Sequence, residues 1–206
     1  MAKCSVSTSA SAIVAAARAL FVRYGPSKTS VEEIAREAGV SKATVYNYFA
    51  GKEAIVADVI EFERKSLIAR LEEAVGEADN PLEALRAFFR TRIRELQRHH
   101  KAYHAGKDDY LRHMPEVARA IERSRREERK IIEGVLKKGA AAGVFRPMDD
   151  VTLTADIIFT TVQGFTFPLF GKPVTRSAEK RLEELISLFL AGICSDSTRK
   201  SILTKE

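Results

Sequence analysis

Residues 29–52, TSVEEIAREAGVSKATVYNYFAGK, decide the fold. Ser30 followed by Glu33 is a capping box, and Thr29 with Glu32 offers the same box one register earlier. Val31, Ile34, Ala35 and Ala38 then recur at helical spacing and line one apolar face. Gly39 supplies a residue tolerant of positive φ where this helix must stop. Val40 is placed to fill the angle between two helices. Ser41 is a second N-cap, its hydroxyl able to accept a bond from an otherwise orphan backbone N–H. Val45 and Phe49 face inward, with Tyr46 lying partly across the same edge. Ser41, Lys42, Thr44, Asn47 and Tyr48 are left outward. They are short or flat polar groups that let a helix sit close to base edges and phosphates. Gly51 breaks the helix and Lys52 opens the next one, where free amides and the positive dipole end suit a phosphate oxygen.

Upstream, Ile13, Ala16, Ala17, Leu20, Phe21 and Tyr24 repeat at three and four residues, and Gly25-Pro26 ends that helix. It covers the apolar side of the helix-turn-helix and completes a three-helix unit.

The segments AAARALFVRYG, TSVEEIAREAGVSKATVYNYF and GKEAI together resemble the TetR family of bacterial transcriptional regulators, over about the first sixty residues. The resemblance implies that Ser41 to Tyr48 form a recognition helix reading double-stranded DNA. Thr44 and Tyr46 then lie nearest the duplex, Tyr48 and Lys52 grip phosphate, and Thr29 does so at the start of the second helix. Ser41 and Lys42 belong to the same surface, and Asn47 occupies a less constrained position. The implied fold is all-α. A disordered leader (1–8) precedes a helix-turn-helix domain (9–52), then come a helical effector-binding and dimerisation domain (53–196) and a C-terminal tail (197–206).

Composition agrees with a helical DNA binder. The chain has 206 residues, 45% of them hydrophobic, and no tryptophan. Its net charge of +6 favours a polyanionic partner. The excess is unevenly placed. Residues 1–60 carry seven Lys/Arg against five Asp/Glu, a net of +2, whereas residues 81–130 carry fourteen against eight, a net of +6. DNA binding through the N-terminus therefore rests on the motif rather than on basicity. Lys3 and the Ala-rich 10–20 stretch faintly resemble a signal peptide, but Arg18 interrupts the apolar run and the same residues suit the first helix. Residues 151–170 are the most apolar long stretch, yet Asp156, Gln163 and several threonines make it a buried helix rather than a membrane span. Cys4 and Cys194 are too few for a disulfide framework, and a reducing cytoplasm is the expected compartment.

The remainder predicts a helical body. Helices are expected from Lys52 to about Val75 with Ile55, Val59, Phe62 and Leu67 inward, from Pro81 onward, from Glu116 to about Ala142, from Asp149 or Asp150 to about Phe167, and from Thr175 or Ser177 to about Ile193. Residues 151–170 are apolar around nearly the whole circumference and must be covered on all sides. With the last helix they suit an intermolecular four-helix bundle, hence a homodimer on an imperfect palindrome. Aromatic walls with few polar groups mark an effector pocket. Its expected lining is Phe89, Ile93, Tyr103, His104, Tyr110, Met114, Phe159, Gln163 and Phe167. The run ERSRREERK (122–130) reads as a solvated helix face with pairs such as Glu122–Arg126. His99, His100, His104 and His113, with Asp108 and Asp109 between them, offer an alternative as a metal-dependent enzyme. No third ligand stands at fixed spacing, so pocket or surface histidines are the expected reading and no cofactor is expected. A ligand-independent DNA binder is the other alternative.

Overall fold

The computed structural model describes the backbone of residues 3–103, 114–166 and 176–198. Eight helices are formed by these residues: α1 (Lys3–Tyr24), α2 (Val31–Glu37), α3 (Lys42–Tyr48), α4 (Lys52–Gly76), α5 (Pro81–Tyr103), α6 (Pro115–Ala141), α7 (Val151–Thr166) and α8 (Arg176–Ile193). Among the described residues, β structure is limited to an isolated bridge between Phe145 and Cys194. The fold is all-α. α1 begins at Lys3 and takes in part of the expected leader. No glycine or proline interrupts the sequence from Lys3 to Tyr24, and an established helix propagates at little cost.

The chain divides into two compact units, Met1–Ser66 with His99–Glu122, and Leu67–Arg98 with Arg123–Glu206. The first unit packs Ile13, Ala17 and Phe21 of α1 against Val31, Ile34 and Ala35 of α2, Val45 of α3, and Ile55, Val56 and Val59 of α4. Full burial of side chains such as Ile13, Phe21 and Ile34 contributes roughly 1.5–3 kcal/mol each. The start of α4 is thus part of the first core, and the division between the two units falls between Ser66 and Leu67 on this helix. Phe62 departs from expectation. It is exposed rather than inward, and the Arg18 guanidinium, ion-paired to Glu63, lies 5.1 Å from its ring centroid.

The second unit is built around Leu71, Leu85, Phe88, Phe89, Ile132, Leu136, Phe145, Ile158, Phe159, Leu182, Ile186 and Leu190. Asn80 caps α5 by accepting from Glu83 N at 3.0 Å, and Asp150 caps α7 by accepting from Leu153 N at 2.9 Å. Arg146 N donates to Ile193 O and Ser195 N to Val144 O, at 2.9 and 3.0 Å, tying the end of α8 to the α6–α7 connection. Among its described side chains, α7 is covered on the face of Ala155, Ile158, Phe159 and Val162. Leu153 and Ile157 remain 55% and 51% exposed in the single chain. The run 122–130 also departs from a solvated face. Glu128 is buried, accepting from Arg92 Nε at 2.5 Å and Ser124 Oγ at 3.0 Å. Burial of this carboxylate is sustained by those two charge-assisted bonds. Arg70 and buried Glu95 form another pair across α4 and α5, at 2.8 Å.

Candidate nucleic-acid interface

α2 starts because both legs of its capping box close. Glu33 N donates to Ser30 Oγ at 3.2 Å, and Ser30 N donates to Glu33 Oε2 at 2.8 Å. Those bonds from Ser30 hold the Glu33 carboxyl below its ordinary range. α2 ends at Ala38, and Gly39 turns the chain with φ 68°. A side chain at that φ would be strained, so glycine is required by the backbone itself. Val40 N returns to Ala35 O at 2.9 Å, which fixes the turn.

α3 begins at an N-cap. Ser41 Oγ accepts from Thr44 N at 3.0 Å and shares a 2.8 Å hydrogen bond with Thr44 Oγ1. Val45 and Phe49 anchor the inner side in the first core. The outer side is left with Ser41, Lys42, Ala43, Tyr46 and Asn47 exposed, and Thr44 and Tyr48 half-buried. Tyr46 is 50% exposed and turns outward rather than across the inner edge. Tyr48 packs part of its ring against the first core. Lys42 is ion-paired to Glu32 of α2, with its ammonium 5.8 Å from the Tyr46 ring centroid. Lys52, at the start of α4, donates through Nζ to Ser27 O at 3.3 Å. Lys42, Thr44, Tyr46 and Asn47 therefore line the side of α3 away from the first core, with Ser41 at its start and Tyr48 and Lys52 at its end.

Thr29 is the exception. It is only 2% exposed, and its Oγ1 donates to Gly25 O at 2.9 Å. The hydroxyl closes the α1–α2 turn and is spent there, so its side chain is a poor phosphate ligand. Glu32, which sequence reasoning assigned to a cap, instead reaches the recognition surface. An acid two helical faces away has no local signal in the sequence, because the pairing depends on the angle between α2 and α3.

The described members of the expected effector lining fall in both units. Phe89 and Phe159 are buried in the second core, Ile93 packs partly buried against it, and Gln163 is half-buried. Met114 lies in the first core instead, because it precedes α6 on the part of the chain that folds with α1–α3. His104, Tyr110 and Phe167 lie outside the described residues, as does the side chain of Tyr103. His113, Asp108 and Asp109 also lie outside them, together with the side chains of His99 and His100. A cavity of about 660 Å³ opens in the second unit, between the end of α4, the start of α5 and the middle of α6. It is lined by Ile68, Val75, Ile131 and Val135 together with Glu72, Asp79, Lys130 and Lys138, and the expected residues whose side chains are described are not among its lining. No helix among the described residues is long and apolar enough to cross a membrane.

Residues 13–59 match the profile of bacterial regulatory proteins of the tetR family, and residues 78–166 that of the tetracyclin repressor-like C-terminal domain. The HTH-type transcriptional repressor KstR2 of Mycobacterium tuberculosis is 30% identical over 182 residues, spanning 87% of this chain and 90% of that protein. The solved structure of KstR2, a ketosteroid transcriptional regulator, covers 91% of this chain and 95% of its own at 25% identity, with a TM-score of 0.57. A fatty acid metabolism regulator of Bacillus subtilis is 26% identical over 150 residues, 73% of this chain and 77% of its own. A transcriptional regulator from Cytophaga hutchinsonii shares the fold, with a TM-score of 0.76 over 89% of this chain and 97% of its own at 22% identity.

A capped, exposed reading helix joined to a separate helical unit defines a helix-turn-helix DNA-binding regulator of transcription. The chain belongs to the TetR family of bacterial transcriptional regulators. That family is one of regulators rather than enzymes.

Proposed function

We propose that the chain is a repressor that binds a palindromic operator as a homodimer in the cytoplasm and is released by a small molecule. The observation that carries this reading is the outer face of α3. Ser41, Lys42, Thr44, Tyr46 and Asn47 stand together on a helix held from behind by Val45 and Phe49. Small polar side chains on such a helix can reach base edges in a major groove, and the roles given to Tyr48 and Lys52 are contacts with phosphate. Two copies related by a two-fold axis would read half-sites one helical turn or a multiple apart.

The effector is assigned to the second unit. What supports a lipophilic one is the naming of the relatives, a ketosteroid regulator and a fatty acid metabolism regulator. It releases DNA by binding the state of low operator affinity more tightly, and its effect is bounded by that difference in affinity. α4 runs unbroken through the division at Ser66, so the two units are joined by continuous helix.

The test is selection of bound duplexes from a random library by the full chain, followed by anisotropy titration with the selected sequence. A palindromic consensus, with binding weakened by steroid or fatty-acyl compounds that also raise the thermal unfolding temperature, is the expected result. Equal affinity for selected and unselected duplexes would remove specific recognition. A consensus with no response to any such compound would remove the lipophilic effector alone.

A further inference from the structure

Glu32 and Lys42 meet across the turn between α2 and α3, the Lys42 ammonium donating to the Glu32 carboxylate. The same ammonium faces the Tyr46 ring, so it is held between an acid and an aromatic face. Lys42 is the sole basic residue in α3. Both side chains are more than half exposed. The bond from Lys42 is the first cause holding the Glu32 carboxyl below its ordinary range, and the bond to Glu32 is the first cause raising the Lys42 ammonium. Both groups are charged across the neutral range, and the cation on the reading helix is internally neutralised.

We propose that Glu32 is a specificity-determining residue, an internal competitor that withholds Lys42 from DNA phosphate in non-specific complexes. The inference rests on the DNA-facing role given to α3 above. Sequence-independent binding is set by the number of cations that replace counterions on the phosphates, each contributing a slope of about 0.9 in log K against log salt. A lysine that exchanges a carboxylate for a phosphate gains little from that term. With a net charge of only +2 over residues 1–60, one silenced cation is a large share of the attraction to random DNA. Hydrogen bonds to base edges from Thr44, Tyr46 or Asn47 do not depend on the Lys42 charge. Glu32 therefore weakens random binding more than operator binding and widens the ratio between them, the quantity that matters against a genome of competing sites. Glu33, not Glu32, closes the capping box, so removing the Glu32 charge leaves the α2 start in place.

The experiment uses four full-length proteins: wild type, Glu32→Gln, Lys42→Ala and the double variant. Each is titrated by anisotropy onto short random-sequence duplexes across a salt series. Glu32→Gln is expected to steepen the salt slope by about 0.9 per freed lysine, about two per dimer. In the Lys42→Ala background the whole Glu32→Gln increment should vanish, because no lysine is then freed for phosphate. An unchanged slope in Glu32→Gln overturns the proposal. So does an increment that survives Lys42→Ala, since Glu32 would then act as a general repulsive charge. If no protein of the four, wild type included, binds any duplex, the DNA-facing role of α3 falls and the proposal with it. Binding without coupling removes the competitor alone.

Discussion

Gly134 and Gly139 lie on the same helix, α6, and differ in what a side chain would meet. A Cβ at Gly139 would stand 2.1 Å from the Phe145 ring, which is fully buried. The ring occupies the space that any other residue needs, so α6 must carry glycine there. A Cβ at Gly134 meets nothing within 4 Å and faces the cavity between α4, α5 and α6. Gly134→Ala should therefore stabilise the chain by roughly 0.8–1 kcal/mol, the ordinary gain of alanine over glycine in a helix interior. Gly139→Ala should destabilise it by about 1–3 kcal/mol through overpacking against Phe145. Thermal unfolding of the two variants reads the difference directly, and shifts of the same sign would contradict the close approach. Neither outcome is visible in the sequence, where both are isolated glycines in a helical pattern. The same limit applies to Thr29. Its place before a capping box suggests a free hydroxyl, and the fold instead buries it against Gly25 O.

Among the elements, α2 owes its start to Ser30 and Glu33, and that start is sensitive to acid. The folded state holds the Glu33 carboxyl below its unfolded value, chiefly through the bonds from Ser30. A depressed carboxyl stabilises the folded state above the unfolded pKa, and the contribution fades as pH falls through the folded value. Glu33→Gln should therefore unfold at a lower temperature than wild type at neutral pH, with the two curves converging on acidification. A gap that persists at acid pH would assign the effect to packing rather than to the carboxylate. Helix starts such as this were legible because caps are local: Ser30, Ser41, Asn80 and Asp150 each bond a backbone N–H within three residues. Which face of a helix is covered was less legible. Glu128 reads as one more charge in a solvated run, yet Arg92, distant in sequence, makes its burial possible. α7 reads as apolar all round, and periodicity alone does not say which side meets its own chain. The exposed side of α3 was legible because an inner Val45 and Phe49 dictate the outer residues. The role of aromatics such as Phe89 and Phe159 was less legible, because a pocket wall and a core position draw on the same side chains.

For the whole molecule, the unpartnered face of α7 is the feature that a single chain leaves unexplained. Leu153 and Ile157 are one turn apart and half exposed, and the exposed positions Thr160, Thr161 and Gly164 continue their stripe. α8 carries a matching stripe of exposed Glu184, Leu188, Ala191 and Gly192, in which Leu188 is 64% exposed. The small residues Gly164 and Gly192 have open space beyond them, which permits close approach of another backbone. Covering the exposed half of Leu153, Ile157 and Leu188 would contribute about 1 kcal/mol each, and a two-fold axis counts each residue twice. We therefore propose these stripes as the dimer face. Leu188→Arg would place an unpaired guanidinium on both sides of that face, at several kcal/mol per buried charge. The dimer constant should weaken by at least about a thousandfold, since each 1.4 kcal/mol is a factor of ten. The expected result is a monomer by light scattering at concentrations where wild type is dimeric, with unchanged helical content by circular dichroism. Operator affinity should fall with it, because one reading head reaches only one half-site. A Leu188→Arg protein that stays dimeric, or a wild-type chain that is already monomeric, would move the interface away from α7 and α8.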